Sequence, residues 1–295
     1  MWSATIIMTK TIDTLVEDIY SLFDLSKKNT IKEKDLKKYL DKFTKGVSES
    51  IEVFLKEEPK TNKGLRLSAI GKPARQLWYD KNLKKIKQTL PPEVRIKFLY
   101  GHILEELLIL FCRLAGHSVT EQQKELNIEG IKGHQDCFID GVLVDCKSAS
   151  GKSFLKFKDN KLSVDDPFGY LPQISAYAEG NNVDEAAFLA IDKQHGEICL
   201  TKVHSVEMIN AKDRVKYLKE VLQYSKPPSK CYSDVPDGVS GNRKLAIGCV
   251  YCSHKRECWK DTNGGQGLRV FNYAKGNRYL TQVSRLPDVE EVMEW

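Results

Sequence analysis

The stretch GHQDCFIDGVLVDCKSAS, residues 133–150, constrains the fold most strongly because it predicts a β-hairpin of defined register. Asp140-Gly141 is typical of a two-residue hairpin turn, since both central positions of a type I′ turn have positive φ. Pairing outward from this turn places Asp136 opposite Asp145. Opposed Cβ atoms lie about 5 Å apart, where like charges are unfavourable. The sequence therefore predicts either a solvated surface on which the carboxylates move apart, or a site in which a shared proton or a cation stabilises them.

The two faces of this hairpin differ in character because side chains alternate along a strand. The apolar face is predicted to contact a core and carries Cys137, Ile139, Val142, Val144 and Cys146. The other face carries Asp136, Phe138, Leu143, Asp145 and Lys147. A lysine on the same face as two aspartates favours a functional site over a solvated surface.

The polar face predicts a particular chemistry. Carboxylate oxygens are hard ligands that suit Mg²⁺ or Mn²⁺, and the backbone carbonyl of Cys146 is a candidate third ligand. The ammonium of Lys147 can orient a water molecule or stabilise negative charge on a phosphate. Together with Asp136 and Asp145, these groups predict hydrolysis of a phosphodiester by a metal-activated water.

Hydrophobic periodicity predicts helices around a central set of strands, and therefore an α/β fold. The predicted helices lie within 10–57, 91–116, 165–180 and 205–225, and the further strands lie within 185–204 and 267–286. Gly116 and Gly180 are the expected helix stops, and Pro172 is expected in a first helical turn. The last hairpin is expected to turn around Lys275-Gly276-Asn277.

An ordered set of residues resembles the PD-(D/E)xK nuclease superfamily, and within it the RecB-like, CRISPR-associated-exonuclease-like branch. The set consists of His102 in GHILEE, Asp136, Asp145-x-Lys147 in VDCK, and Gln173-x3-Tyr177 in QISAY. The resemblance implies a restriction-endonuclease-like core with a central mixed β-sheet flanked by helices. The implied roles are binding of Mg²⁺ or Mn²⁺ by His102, Asp136 and Asp145, assistance to the attacking water by Lys147, and positioning of the DNA strand by Gln173 and Tyr177.

Glu106 lies one helical turn beyond His102 and has two interpretations. It is either a further ligand or the partner of one, or it is an ordinary exposed helical glutamate. The sequence leaves both open.

The activity implied by the resemblance is metal-dependent hydrolysis of DNA, with an exonuclease on single-stranded or end-containing DNA as the first expectation. The alternatives are a structure-specific or restriction-type endonuclease and a non-catalytic DNA-binding protein on a nuclease fold. We expect an N-terminal helical region at 1–64, a nuclease core at 65–225, and a cysteine-cluster segment with a closing hairpin at 226–295.

Bulk composition is consistent with this interpretation. The net charge of +6 is compatible with a polyanionic partner such as DNA. No run approaches the about 18 apolar residues of a membrane span, and the N-terminus lacks the pattern of a secretory signal. We therefore expect a cytoplasmic protein, in the host cytoplasm if phage-encoded, with recombination or replication proteins as further candidate partners.

The eight cysteines favour metal binding over disulfides in a reducing compartment. The segment CVYCSHKRECW carries Cys249, Cys252 and Cys258 with C-x2-C-x5-C spacing, which can bring three thiolates to one metal. Zinc is one candidate, and a 4Fe-4S cluster, which needs four thiolates, is the other. The spacing resembles that of iron–sulfur RecB-like nucleases, which implies the cluster.

The fourth cluster ligand departs from those relatives, which carry a cysteine in a C-P-R motif before the nuclease motifs. Here Ala74 precedes Arg75, so that cysteine is absent. Cys231 is the expected replacement, because its spacing resembles that of phage-encoded nucleases of this class, and Cys112 is the alternative. The remaining cysteines are expected to be packing residues: Cys137, Cys146 and Cys199.

Basic and aromatic residues are interleaved in SAIGKPARQLWYDK, residues 68–81. Such a segment can hold a phosphate backbone and stack unpaired bases. Lys72, Arg75 and Tyr79 are therefore candidate DNA contacts, with core packing as the alternative for the aromatic residues.

Overall fold

The computed structural model describes residues 10–27, 31–56, 64–83 and 92–292. The chain divides into two compact units. The first unit comprises Met1–Gly71 and Lys85–Lys216, and the second comprises Lys72–Lys84 and Tyr217–Trp295.

The regular elements are defined as follows. The helices are α1 (Leu15–Ser21), α2 (Glu33–Lys56), α3 (Ala74–Asn82), α4 (Pro92–Leu114), α5 (Lys152–Lys158), α6 (Tyr170–Asn181), α7 (Ala211–Val221) and the one-turn helices α8 (Ile247–Val250), α9 (Lys255–Cys258) and α10 (Thr262–Gly265). The strands are β1 (Val119–Thr120), β2 (Glu125–Ile128), β3 (Ile131–His134), β4 (Cys137–Ile139), β5 (Val142–Ala149), β6 (Glu185–Asp192), β7 (Ile198–His204), β8 (Val235–Pro236), β9 (Arg243–Lys244), β10 (Arg269–Tyr273) and β11 (Gly276–Gln282). No helix among the described residues has the length and apolar character needed to cross a bilayer.

Five strands of the first unit form a mixed sheet in the order β1-β4-β5-β6-β7. The strands β5 and β6 are parallel, and the other neighbours are antiparallel. Helices α1 and α4 contribute to the apolar core on one face, while α5 and α6 cover the other. This confirms the predicted α/β class with a central mixed sheet flanked by helices.

The hairpin of β4 and β5, called the first hairpin below because it was the first one predicted, has the predicted register. Ile139 is opposite Val142, Phe138 is opposite Leu143, and Cys137 is opposite Val144. Asp140 and Gly141 form its turn with φ values of 49° and 87°. β5 is an interior strand between β4 and β6, and α4 and α6 pack against it, so that residues 143–146 are buried on both faces. The alternative of a solvated face is therefore wrong, since Asp145 is only 1% exposed.

The end of α6 differs from the prediction. The helix continues through Gly180 to Asn181, and Asn182 follows in the left-handed region at φ 54°. Asn tolerates this region, so it replaces glycine as the helix stop. Gly180 instead allows close packing, because a Cβ there would lie 3.3 Å from Leu126.

Two turns and the start of one helix also differ from the sequence expectations. A hairpin of β2 and β3 around Glu129-Gly130 was not predicted, although both turn residues have positive φ. The last hairpin pairs Tyr273 with Gly276, so its turn is Ala274-Lys275. Helix α7 begins at Ala211 rather than 205 because Asn210 accepts the backbone N–H of Asp213 and caps it.

His117 is a buried polar residue that joins α1 to the turn of the first hairpin. Its Nδ1 lies 2.6 Å from Oδ2 of Asp140, and its Nε2 lies 3.2 Å from Oδ2 of Asp18. The other oxygen of Asp140 accepts the backbone N–H of Ser118 at 2.9 Å. A ring held between two carboxylates therefore fixes the turn from which β5 starts.

Replacement of His117 by Phe should lower the free energy of unfolding by about 2–3 kcal/mol, because the Asp140 carboxylate loses its buried ring partner. His195→Phe is the matched control. His195 also contacts an aspartate, with Nδ1 2.7 Å from Oδ2 of Asp192, but its side chain is 74% exposed. Its replacement should therefore cost less than about 1 kcal/mol. Urea unfolding measures both, and equal losses in the two variants would contradict this role.

Candidate functional site

Asp145 lies within β5 and is nearly inaccessible to solvent. Its Oδ2 forms an ion pair with Nζ of Lys147. The second oxygen, Oδ1, accepts an N–H from Nε2 of Gln173 at 3.3 Å. The two oxygens of this buried carboxylate are therefore held by the ammonium of Lys147 and the amide of Gln173.

Asp136 immediately precedes β4, so the regular ladder ends before the two aspartates are paired. Its Oδ2 accepts the backbone N–H of Cys146 at 2.7 Å. Burial raises the pKa of Asp136, and the nearby carboxylates of Glu105 and Asp145 raise it further. The predicted pairing of Asp136 with Asp145 is thus absent from the ladder, although the two carboxyl groups are close enough to affect each other.

Lys147 lies two residues along the same strand and is the counter-ion of Asp145. Burial by itself lowers the pKa of Lys147, but the carboxylates of Asp145 and Asp136 outweigh it, so that the pKa is raised. The ammonium lies 5.1 Å from the ring centroid of Tyr170. Lys147 is therefore a protonated, confined cation with an aromatic ring on one side.

Helix α6 places Gln173 between these charges. Its Oε1 accepts from Nζ of Lys147 at 3.5 Å, while its Nε2 also donates to the Tyr177 hydroxyl at 3.3 Å. Tyr177 is 2% exposed, and burial raises its pKa. The four-residue spacing puts both side chains on one face of the helix, as predicted, and Tyr177 orients Gln173.

Glu105 on α4 is the residue that the sequence interpretation missed. Burial raises its pKa to about 7, with the carboxylates of Asp145 and Glu106 adding to the shift. A signal was present in the sequence, because Glu105 shares its helix face with the apolar residues at positions i+3, i+4 and i+7. These are the buried residues Leu108, Ile109 and Cys112. A carboxylate on an apolar stripe is unusual and requires a partner.

The two other candidates on α4 contact different partners. His102 is about half exposed, with Nδ1 3.9 Å from Glu105, and burial lowers its pKa. Its ring packs edge-on against Phe54, with the two ring centroids 5.4 Å apart. Glu106 accepts an N–H from Gln122 at 2.9 Å and packs against Gly46 of α2. The carboxylate that α4 contributes beside Asp136 and Asp145 is thus Glu105.

This set of side chains fits a divalent cation in chemistry. It offers hard oxygen atoms and two carboxyl groups, those of Glu105 and Asp136, whose pKa is raised by burial and by neighbouring carboxylates. Within the parts of the chain that the structure describes, no three His, Cys, Asp or Glu side chains are already spaced as ligands of one ion. Binding a cation therefore requires the side chains to rearrange.

The second unit brings four cysteines to one pocket. Cys231, Cys249, Cys252 and Cys258 all line the same small pocket. Burial raises the pKa of Cys249 to about 11, and the other three sulfurs add to the shift. The alternative ligand Cys112 is buried in the apolar core of the first unit, as are the packing candidates Cys137 and Cys146. Cys199 is partly exposed on β7.

The candidate DNA contacts of residues 68–81 have different environments. Arg75 and Tyr79 line the cysteine pocket, and Arg75 donates through Nε to Sγ of Cys258 at 3.1 Å and through Nη2 to the Tyr79 hydroxyl at 3.0 Å. Tyr79 is 4% exposed, so it offers no ring face to a base. Lys72 is exposed at the solvent surface.

No family model matches this chain, and no curated protein matches it. Solved structures that are similar to it include SSO0001 (17% identity, 72% of this chain and 93% of that chain, TM-score 0.38). Others are LHK-Exo, an alkaline exonuclease from Laribacter hongkongensis, in complex with dAMP (14%, 54% and 93%, TM-score 0.32), and a phage-related exonuclease from Haemophilus somnus 129PT (14%, 55% and 91%, TM-score 0.38). All these TM-scores are below 0.5, so similarity to these structures assigns no function to this chain.

The raised pKa of Glu105 predicts a pH dependence of stability in chelator. The folded protein holds a proton on Glu105 up to about pH 7, whereas the unfolded chain releases it near the ordinary value of 4.5. The free energy of unfolding should therefore fall by about 2–3 kcal/mol as the pH rises from about 4.5 to 7. Glu105→Gln should reduce this slope, and Glu121→Gln, at an exposed position, should leave it unchanged. Urea unfolding at several pH values measures the slope, and identical slopes in wild type and Glu105→Gln would exclude the assignment.

Proposed function

We propose that this protein is a metal-dependent DNA nuclease that hydrolyses phosphodiester bonds, acting as an exonuclease on single-stranded or end-containing DNA. The observation that carries the proposal is the buried ion pair of Asp145 and Lys147 beside two further carboxylates, Glu105 and Asp136. A purely structural ion pair does not need additional carboxylates, because each one increases the cost of burying charge. The arrangement fits a site that binds a cation and then a phosphate.

The carboxylates of Glu105, Asp136 and Asp145 would hold Mg²⁺ or Mn²⁺, with the backbone carbonyl of Cys146 as a further candidate ligand. A bound ion of this kind makes a coordinated water more acidic and offsets the charge of the phosphate. His102, which lies 3.9 Å from Glu105, would join the ligand set or orient Glu105. Glu106 would support the packing of α2 on α4.

Lys147 carries a proton because its pKa is raised. Its ammonium would orient the attacking water and stabilise negative charge that develops on the phosphate. Gln173 contacts both Lys147 and Asp145, so it would keep the ammonium group of Lys147 aligned with the scissile bond. Tyr177 would act on the DNA strand indirectly, because its hydroxyl contacts Gln173.

Lys147→Ala should slow the degradation of linear DNA in Mn²⁺ by at least about 100-fold, because the cation that stabilises the transition state is lost. Lys158→Ala is the control, since Lys158 is an exposed lysine that pairs with Glu197. Its rate should stay within about twofold of the wild type. Absence of degradation by the wild type, or equal rates in wild type and Lys147→Ala, would overturn the proposal. A closed circular DNA that stays intact supports an exonuclease, and its cleavage supports the endonuclease alternative.

For the second unit we propose that Cys231, Cys249, Cys252 and Cys258 hold a 4Fe-4S cluster, with Zn²⁺ as the alternative. The four thiols line one pocket, which also includes the indole of Trp259. The indole N–H of Trp259 is buried and interacts with the thiol of Cys249, whose pKa it lowers against the effect of burial. Together with the guanidinium of Arg75, it supplies N–H groups that sulfur atoms accept, and hydrogen bonds to sulfur are a normal feature of iron–sulfur sites.

Protein purified without oxygen should be brown and contain about four iron and four sulfide ions per chain. Cys252→Ser should lose most of the metal and lower the melting temperature of the protein. Cys199→Ser, on a strand of the first unit, should retain the full metal content. Metal analysis and visible absorption measure both. A colourless preparation with stoichiometric zinc would exclude the cluster in favour of zinc, and metal-free wild-type protein would exclude both.

A further inference from the structure

Phe168 is a large apolar side chain that stays 51% exposed in the first unit, in the turn just before α6. Single exposed apolar residues are common on protein surfaces and need no function. Phe168 differs from such residues because its turn is held rigidly and because it lies next to the candidate active site.

The turn is held by the carboxylate of Asp166. Its Oδ1 accepts the backbone N–H groups of Gly169 and Tyr170, both at 2.9 Å, and its Oδ2 accepts that of Leu171 at 2.8 Å. One side chain therefore satisfies three of the N–H groups at the start of α6, which fixes the backbone on both sides of Phe168.

A glycine crossing fixes the same turn from outside. Gly169 has a φ of 75°, and a Cβ on it would lie 2.4 Å from the backbone of Gly71. A Cβ on Gly71 would lie 2.3 Å from the carbonyl oxygen of Gly169. The two backbones can approach this closely only because both residues lack side chains, so the exposed ring of Phe168 is presented by a clamped backbone.

The ring of Phe168 is connected to the active-site lysine through one other ring. It packs against Tyr170 with a centroid distance of 5.7 Å and an interplanar angle of 35°. Tyr170 in turn lies 5.1 Å from Nζ of Lys147. These two distances together limit the separation between the ring centroid of Phe168 and the ammonium of Lys147. It is at most the length of about three stacked bases, at roughly 3.4 Å per base.

We propose that Phe168 is a stacking platform for an unpaired nucleobase of the DNA strand whose phosphate lies at Lys147. A rigid aromatic surface near a buried ammonium suits a ligand that is flat and aromatic at one end and anionic at the other, as a nucleotide is. Bases inside a duplex hide their faces against their neighbours, so the platform selects a strand that is single or frayed at its end. The position of the phosphate rests on the nuclease function proposed above.

Binding of a fluorescent single-stranded oligonucleotide in chelator tests the platform, because no cleavage is needed. Phe168→Ala should bind about 10-fold more weakly than the wild type, and Phe168→Trp should stay within about twofold, since stacking tolerates any aromatic ring. Phe23→Ala is the matched control. Phe23 is 58% exposed and packs on Phe111, which belongs to the core on the other side of the sheet, so its loss should leave the affinity unchanged.

Oligonucleotides with a single abasic position identify the stacked base. Moving the abasic position along the strand should weaken wild-type binding about 10-fold at one place and leave Phe168→Ala insensitive there. Equal affinity of wild type and Phe168→Ala, no sensitive position, or no binding by the wild type would each overturn the inference. Phe168-dependent binding without degradation of DNA in Mn²⁺ would instead support the platform while the nuclease function fails.

Discussion

The burial of Asp145 in an interior strand is the constraint on which much of the first unit depends. A carboxylate removed from water is stable only with close partners. Lys147 supplies the opposite charge from the same strand, and Gln173 supplies an N–H from α6. Glu105 and Asp136 lie beside this pair, where burial and the neighbouring carboxylates raise the pKa of both. A bound cation would offset the negative charge that these carboxyl groups gain when they lose their protons, so their crowding suits the site to a cation.

The position of α6 matters because it carries the side chain that links both charges. Its first turn is capped by Asp166, and its backbone is clamped where Gly169 meets Gly71. The same cap presents Phe168 to solvent beside Tyr170. The capped and clamped start of α6 therefore sets both the alignment of Gln173 inside the site and the exposure of the Phe168 ring next to it.

The second unit follows a different principle, because it contains short helices and strands and a small apolar cluster. Its cysteine pocket takes Arg75 from a segment far away in sequence. A guanidinium that donates to a thiol, a carbonyl and a hydroxyl belongs to the wall of this pocket. The prediction that Arg75 and Tyr79 contact DNA rested on their residue types and, for Arg75, on an arginine at this place in relatives. In the structure both side chains line the cysteine pocket.

The sequence by itself determined the hairpin, its register and the face shared by Asp136, Asp145 and Lys147, because a two-residue turn and the period of a strand are local properties. It also determined the spacing of Gln173 and Tyr177 on one helix face. Only the tertiary structure decided that this face is buried, since that depends on the packing of α6, which is distant in sequence, against β5 and β6. The tertiary structure also decided that α4 contributes Glu105 rather than Glu106, because a helix presents neighbouring residues to different surroundings. The ends of elements that depend on packing, such as Gly180 against Leu126, were likewise beyond local patterns.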